Sequence, residues 1–201
     1  MKLVSYLQND HENVGLYHED AVYKLQHLHK DLPNNILILL AHWEEYYHIL
    51  AGLNNELVLE NKFRDFAQNI DSVTLLAPVP SPVSCRDAYA FRQHVATSRM
   101  NRGLLMIEAF DAFPVFYFTN HNAIQGPGDV WCMPDHFQRL DFELECAIVI
   151  GKTGRNILAK DADNHIAGLM IMNDVSARLL QMEEMQLNLG PAKGKDFATS
   201  F

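Results

Sequence analysis

The sequence predicts an α+β protein in two parts, and three observations carry that prediction. The first stretch alternates polar and apolar residues and then changes to helical spacing. A run with three prolines in five residues follows. Beyond it come short apolar segments that begin or end on carboxylates. At 201 residues the chain is long enough for one good core, or for one domain and a small appendage. The boundary falls at the prolines, with a small N-terminal domain over 1–74 and a larger domain over 75–201.

Taken in order, Val14-Gly15-Leu16-Tyr17 and Ala21-Val22-Tyr23-Lys24-Leu25 alternate around His18-Glu19-Asp20, which reads as a hairpin and its turn. After Leu32-Pro33-Asn34-Asn35, the residues Ile36, Leu39, Leu40, Trp43, Tyr47 and Leu50 make one apolar stripe of a helix, with Asn34 or Asn35 available as its N-cap. That stripe is core. Leu75 to Pro82, with Pro78, Pro80 and Pro82, is a stiff extended connector. Pro114-Val115-Phe116-Tyr117-Phe118 reads as a buried strand and Gln125-Gly126-Pro127-Gly128-Asp129 as a tight turn. Phe142 to Ile150 is a carboxylate-bearing strand, in which Cys146 is a packing residue. Gly168 to Asp174 is a short buried strand with Asp174 at its mouth.

Composition narrows the function. Hydrophobic content of 48% with 20% charged residues is that of a globular enzyme. The net charge of −9 argues against a nucleic-acid or anionic-membrane partner, since both are bound mainly through Lys and Arg. Cys85, Cys132 and Cys146 form no Cys-x-x-Cys pair, so neither a disulfide framework nor a zinc knuckle is indicated. The N-terminus turns polar too soon for a signal peptide and no apolar run reaches membrane-spanning length, so the cytoplasm is the expected compartment. Gly190-Pro191-Ala192-Lys193-Gly194-Lys195-Asp196 fails as a phosphate loop: its glycines are one residue too close and Asp196 stands where a hydroxyl is needed. His42 to His48 lacks the paired histidines of a zinc protease helix, and no Gly-x-Ser-x-Gly elbow occurs.

What remains is acidic. Side chains alternate along a strand, so Glu143 and Glu145 point the same way, roughly 6–7 Å apart. Two like charges beside an apolar Ala-Ile-Val-Ile run resist desolvation unless a cation sits between them. Asp174 arrives in a matching context. All-oxygen donors favour a hard ion such as Mg²⁺, Ca²⁺ or Mn²⁺ over zinc.

Three further segments complete a pattern: Arg86-Asp87-Ala88-Tyr89-Ala90-Phe91-Arg92-Gln93-His94, then Asn173-Asp174-Val175-Ser176-Ala177-Arg178, then Gly194-Lys195-Asp196-Phe197-Ala198-Thr199. Together with Phe142-Glu143-Leu144-Glu145, and in this order, they resemble the fumarylacetoacetate hydrolase superfamily from about residue 75 onward. The resemblance implies a mixed β-roll catalytic domain behind a small N-terminal α+β domain. It implies Mg²⁺, or alternatively Ca²⁺ or Mn²⁺, on Glu143, Glu145 and Asp174, with Asp87 a fourth ligand. It assigns His94 to activating water, Tyr89 and Thr199 to contacting substrate, and Arg178, Gln181 and Lys195 to stabilising developing negative charge. Ala88 stands where the family usually has an aromatic residue, and Ala198 where its namesake has glycine.

The implied reaction is hydrolysis of a carbon–carbon bond in an acylpyruvate-like or β-diketo acid, with hydration, decarboxylation or isomerisation of a 2-oxo acid as the alternative. The residues suit it. A divalent ion acts as Lewis acid, an imidazole with its ordinary pKa near 6.5 suits a general base, and a lysine with an arginine stabilises an enolate. If a helix starts near Ser176, Arg178 and Gln181 share one face. Singly, each of these residues has an ordinary structural reading; as an ordered set they do not. The resemblance also implies a homodimer. The sequence stops at Thr199-Ser200-Phe201, directly after the lysine motif, and this ending implies a catalytic domain that is incomplete at its C-terminus, an inactive metal-binding remnant in the limiting case.

Overall fold

Two tight turns build the first sheet. In the computed structural model, which describes residues 1–201, Asn9 and Asp10 (φ 51° and 60°) and Glu19 and Asp20 (φ 48° and 60°) adopt the left-handed backbone of two-residue hairpin loops. They join β1 (Leu3–Gln8), β2 (His11–His18) and β3 (Ala21–Lys24) into an antiparallel meander. Three helices follow: α1 (Leu25–Leu28), α2 (Ile36–Ala41) and α3 (Trp43–Glu60). The chain then returns through β4 (Ala67–Asn69) and β5 (Thr74–Leu75) to give the order β4-β3-β2-β1-β5.

The expected hairpin is therefore part of a five-stranded sheet, because residues 3–8 pair as well. The expected single helix is two. Asn35 is the N-cap, its Oδ1 accepting from the Leu37 and Ile38 N–H groups at 2.9 and 3.2 Å, but the helix breaks at His42 (φ −119°, ψ 33°). Apolar spacing reports which face is buried, not whether the backbone hydrogen bonds continue across it.

The main core lies between this sheet and the helices. Val14, Leu16 and Tyr23 meet Leu25, Leu32, Ile36, Leu39, Leu50, Leu53 and Leu57, and Val79 closes the cluster. Leu50 is fully buried there. Leu50→Ala is expected to destabilise the protein by about 2–5 kcal/mol, as lost burial plus the cavity left behind. A urea titration checks this; a midpoint equal to wild type would mean the core is not packed as described.

The connector is pinned rather than free. The Leu76 N–H donates to the Ser5 carbonyl at 2.9 Å and Ser5 Oγ donates to the Pro78 carbonyl at 2.8 Å. On its other side, a Cβ at Gly126 would come within 2.7 Å of the Leu76 and Ala77 backbone. The glycine expected to serve a turn thus serves a close approach between chain segments.

The remaining strands are β6 (Cys85–Ala88), β7 (Phe116–Thr119), β8 (Ile124–Gln125), β9 (Leu140–Asp141), β10 (Leu144–Ile150), β11 (Ile166–Asp174), β12 (Ser176–Ala177) and β13 (Thr199–Ser200). Between them lie α4 (Arg92–Met100), α5 (Arg178–Met185) and α6 (Ala192–Lys195). The larger sheet is mixed, in the order β10-β11-β13-β8, with β13 and β8 parallel; β6 pairs with β7 and β9 with β12. This is the α+β class expected, with a curled mixed sheet behind a small N-terminal sheet and helices. The two parts touch. Lys152 Nζ lies 2.6 Å from Glu44 Oε1, and Val149 packs against the main core.

Two expectations of burial are corrected here. Phe116 and Phe118 on β7 are more than half exposed, with the Arg86 guanidinium 5.6 and 4.6 Å from their ring centroids, and only Tyr117 between them turns inward. On β10 and β11, Leu144, Ile148, Ile150, Leu169 and Ile171 are likewise more than half exposed, and Cys146 is exposed rather than packed. A run of consecutive apolar residues looks the same whether both faces of its strand are covered or only one. Here one face is open.

Candidate metal centre

Four acidic side chains reach one point from separate places in the chain. Asp87 lies on β6, Glu143 in the two-residue link between β9 and β10, Glu145 near the start of β10 and Asp174 at the end of β11. The antiparallel register, Leu144 opposite Asn173 and Glu145 opposite Met172, carries Asp174 to the Glu143 end of the pair. The Asp174 N–H donates to the Glu143 carbonyl at 2.9 Å, and the Glu143 N–H donates to Asn173 Oδ1 at 3.2 Å. One oxygen from each of Asp87, Glu143, Glu145 and Asp174 lies within 4.8 Å of the others.

Two cations pair with the cluster. The buried Lys195 places Nζ 2.6 Å from both Glu143 Oε2 and Asp174 Oδ2. Arg178 places Nη1 2.6 Å from Glu143 Oε1, and its Nε donates to Asp141 Oδ2 at 2.9 Å. The Arg178 Nη1 also donates to Gln181 Oε1 at 3.1 Å, so the expected i, i+3 pair on one helix face is present on α5. Opposite them, the Tyr117 hydroxyl sits 2.7 Å from Asp87 Oδ2 and 2.7 Å from Asp174 Oδ2. One hydroxyl hydrogen cannot fully serve two carboxylates.

The electrostatics follow from this crowding. Burial, reinforced by the charges of Asp87, Asp174 and Glu143, pushes the Glu145 carboxyl up to about 7. Burial also raises Asp174 above the usual carboxylate range, against the opposing pull of Lys195. Burial works against Glu143 as well, but there Lys195 and Arg178 win and hold it below its ordinary value. The Arg178 hydrogen bond lowers Asp141. Tyr117 is driven well up, by burial first and then by the charges of Asp174 and Asp87, so it stays a neutral hydroxyl.

The residues present fit a divalent ion. Four carboxylates face two cations, and one of these, Arg178, is shared with Asp141, so the positive charge present does not balance the carboxylates. Asp174 Oδ1 is buried without a hydrogen-bond partner. The Glu145 side chain makes no hydrogen bond or ion pair, and Asp87 Oδ2 and the two Glu143 oxygens, with one partner each, retain a further lone pair. Oxygen-only donors suit a hard cation.

The other expected residues make no side-chain hydrogen bond to the four carboxylates. Thr199 is buried on β13 opposite Asp174, its Oγ1 3.4 Å from Thr119 Oγ1. Tyr89 is more than half exposed just beyond β6. His94 lies on the exposed side of α4 and makes no hydrogen bond to the cluster. Tyr117 and Asp141 were missed by sequence reasoning. A polar-tipped aromatic between two phenylalanines was the visible signal for Tyr117, but its pairing opposite Asp87 is a long-range fact. Asp141 sits two residues before Glu143, a spacing that the same alternation argument could have used.

The family model described as fumarylacetoacetate (FAA) hydrolase C-terminal matches residues 84–201. The chain is 26% identical over 193 residues to a fumarylacetoacetate hydrolase domain-containing protein 2 homolog of Dictyostelium discoideum, covering 92% of this chain and 57% of that protein. Over 69 residues, 34% of this chain and 22% of the relative, it is 44% identical to the human mitochondrial oxaloacetate tautomerase FAHD2A. Among solved structures, a fumarylacetoacetate hydrolase from Exiguobacterium antarcticum aligns with a TM-score of 0.63 and 25% identity, over 98% of this chain and 62% of that one. The chain thus spans less than two thirds of each of these proteins.

Proposed function

The chain belongs to the fumarylacetoacetate hydrolase family, and from that premise we propose that it is a divalent-metal-dependent enzyme acting on an enolisable 2-oxo or diketo acid. The observation that carries the reading is the convergence of Asp87, Glu143, Glu145 and Asp174 within 4.8 Å, with fewer cations than carboxylates around them. These four would hold Mg²⁺ or Mn²⁺, which supplies Lewis-acid polarisation of the substrate oxygens when bound. Lys195 and Arg178 present fixed positive charge where an enolate oxygen develops, and Gln181 orients the guanidinium. Thr199 and Tyr89 are the proposed substrate contacts.

Two reactions share that enolate. Cleavage of an acylpyruvate-like substrate needs an activated water in addition, and His94 is the proposed base; catalytic hydrogen bonds often tighten only with substrate bound. Tautomerisation of oxaloacetate needs no such water. Its support is specific: the cluster itself contains no imidazole, and the human relative is named for that activity. A panel of acetylpyruvate and oxaloacetate with Mn²⁺ separates them. His94→Ala is expected to lower kcat for hydrolysis by roughly 10²–10⁴-fold while leaving tautomerisation intact. Equal loss in both would put His94 in the shared step, and no turnover of either would sink the reading.

The proposed domains are 1–74 and 75–201, the proposed assembly is a homodimer, and the proposed compartment is the cytoplasm. The open apolar face of β10 and β11, five large side chains wide, supports association, since exposed apolar patches of that kind mark interaction surfaces. No helix is long and apolar enough to cross a membrane.

A further inference from the structure

Lys195 ends α6, a helix of four residues, too short to hold a buried ammonium between two carboxylates unaided. What holds it comes from segments outside the carboxylate cluster. On the residue after Lys195, the Asp196 carbonyl accepts a hydrogen bond from Asn120 Nδ2 at 3.0 Å. Asn120 is itself fixed, because its Oδ1 accepts from the Asn122 N–H at 3.1 Å. One residue further on, the Phe197 ring lies on the buried His136 imidazole, with centroids 4.0 Å apart and planes 16° from parallel. His136 Nδ1 accepts from the Met133 N–H at 3.0 Å, which locks the ring against the turn that carries it. On the near side of Lys195, Gly194 packs so closely on α5 that a Cβ there would come within 2.8 Å of the Gln181 nitrogen.

We infer that Asn120 and His136 are positioning residues that seat the Lys195 ammonium between Glu143 and Asp174, an inference that rests on reading that cluster as the reaction centre. The consequence is specific. Lys195 Nζ occupies lone pairs of Glu143 Oε2 and Asp174 Oδ2, two of the carboxylates a divalent ion would use. A clamp that keeps the ammonium seated therefore lowers affinity for the ion and fixes the charge that faces the enolate. Loss of the clamp frees the lysine without removing any ligand.

The test uses Asn120→Ala and His136→Ala, with Lys195→Met as reference, and two readouts. The first is acylation of Lys195 by acetic anhydride, followed by mass spectrometry with the exposed Lys193 as internal standard. Each clamp variant is expected to raise the Lys195-to-Lys193 ratio by about fivefold, the size of one lost hydrogen bond or ring stack. His136→Phe, which keeps the stack, should protect Lys195 better than His136→Ala. The second is Mn²⁺ affinity: both clamp variants and Lys195→Met should bind more tightly, and the clamp effect should vanish in the Lys195→Met background. An unchanged acylation ratio, or a Mn²⁺ effect that persists without Lys195, would overturn the inference. Wild-type protein that binds no Mn²⁺ would defeat the metal reading instead, while the acylation ratio still decides the clamp.

Discussion

Asp174→Ala is expected to cost about 3–5 kcal/mol of folding stability, the range for removing one partner from a buried ion pair, and to abolish divalent-ion binding. Asp174 and Lys195 are both almost completely buried and lie 2.6 Å apart. Removing the carboxylate takes one of two partners from a desolvated ammonium and also deprives the Tyr117 hydroxyl of an acceptor. Glu143 remains as the second partner of Lys195, which puts the expected loss toward the lower end of the range. Chemical denaturation in the presence of EDTA measures it free of any metal contribution. A loss below about 1 kcal/mol, the scale of an exposed pair, would mean that Lys195 is solvated rather than clasped.

Glu145→Gln is expected to act in the opposite sense. Glu145 carries the carboxyl held up to about 7, with burial and three neighbouring carboxylates against its ionisation. A carboxyl whose folded value lies above its ordinary value contributes stability that is fully present below the ordinary value near 4.5 and is lost as pH rises through about 7. Asp174 shifts in the same direction. Glu143, held down by Lys195 and Arg178, contributes the reverse, a stability lost only as pH falls through its lowered folded value. Ion-free wild-type protein should therefore lose stability from these acids between about pH 4.5 and pH 7, and Glu145→Gln should remove most of that slope. A divalent ion reverses the effect, because it replaces the missing positive charge. At a hundredfold excess over Kd, Mn²⁺ should stabilise wild type by about 2.7 kcal/mol, more at about pH 8 than at about pH 5, and should stabilise Glu145→Gln much less. Thermal melts with EDTA or Mn²⁺ across that range check all three statements. A Mn²⁺ effect that grew as pH fell would contradict the account of the site.

Sequence alone carried the acids and the cations of this centre but not its full geometry. Glu145 was readable because strand alternation is a local rule, and Asp174 because an apolar run ended on it; Glu143 came from the same count, although β10 begins one residue after it. Lys195, Arg178 and Gln181 were readable only through the order of the motifs, since nothing in a Gly-Lys-Asp loop announces that its lysine is buried. Tyr117 was not readable. Its role depends on β6 and β7 pairing with Asp87 opposite it, and register is set by long-range contacts. Burial was misjudged where only one sheet face is covered, at Phe116, Phe118, Ile148 and Cys146, because local hydrophobicity does not say which face meets the core. The break at His42 and the two outer strands of the first sheet escaped for a related reason: short pairings and single-residue kinks leave no period to detect.

The central claim is that four carboxylates share one hard cation. Crystals grown with Mn²⁺ and measured at the manganese absorption edge test it most directly. One anomalous peak, within about 2.0–2.6 Å of oxygens from Glu143, Glu145 and Asp174, with Asp87 as the fourth ligand, is the predicted result. Well-ordered crystals in saturating Mn²⁺ with no peak among these side chains, or with Lys195 Nζ still bridging Glu143 and Asp174 and the ion elsewhere, would contradict it.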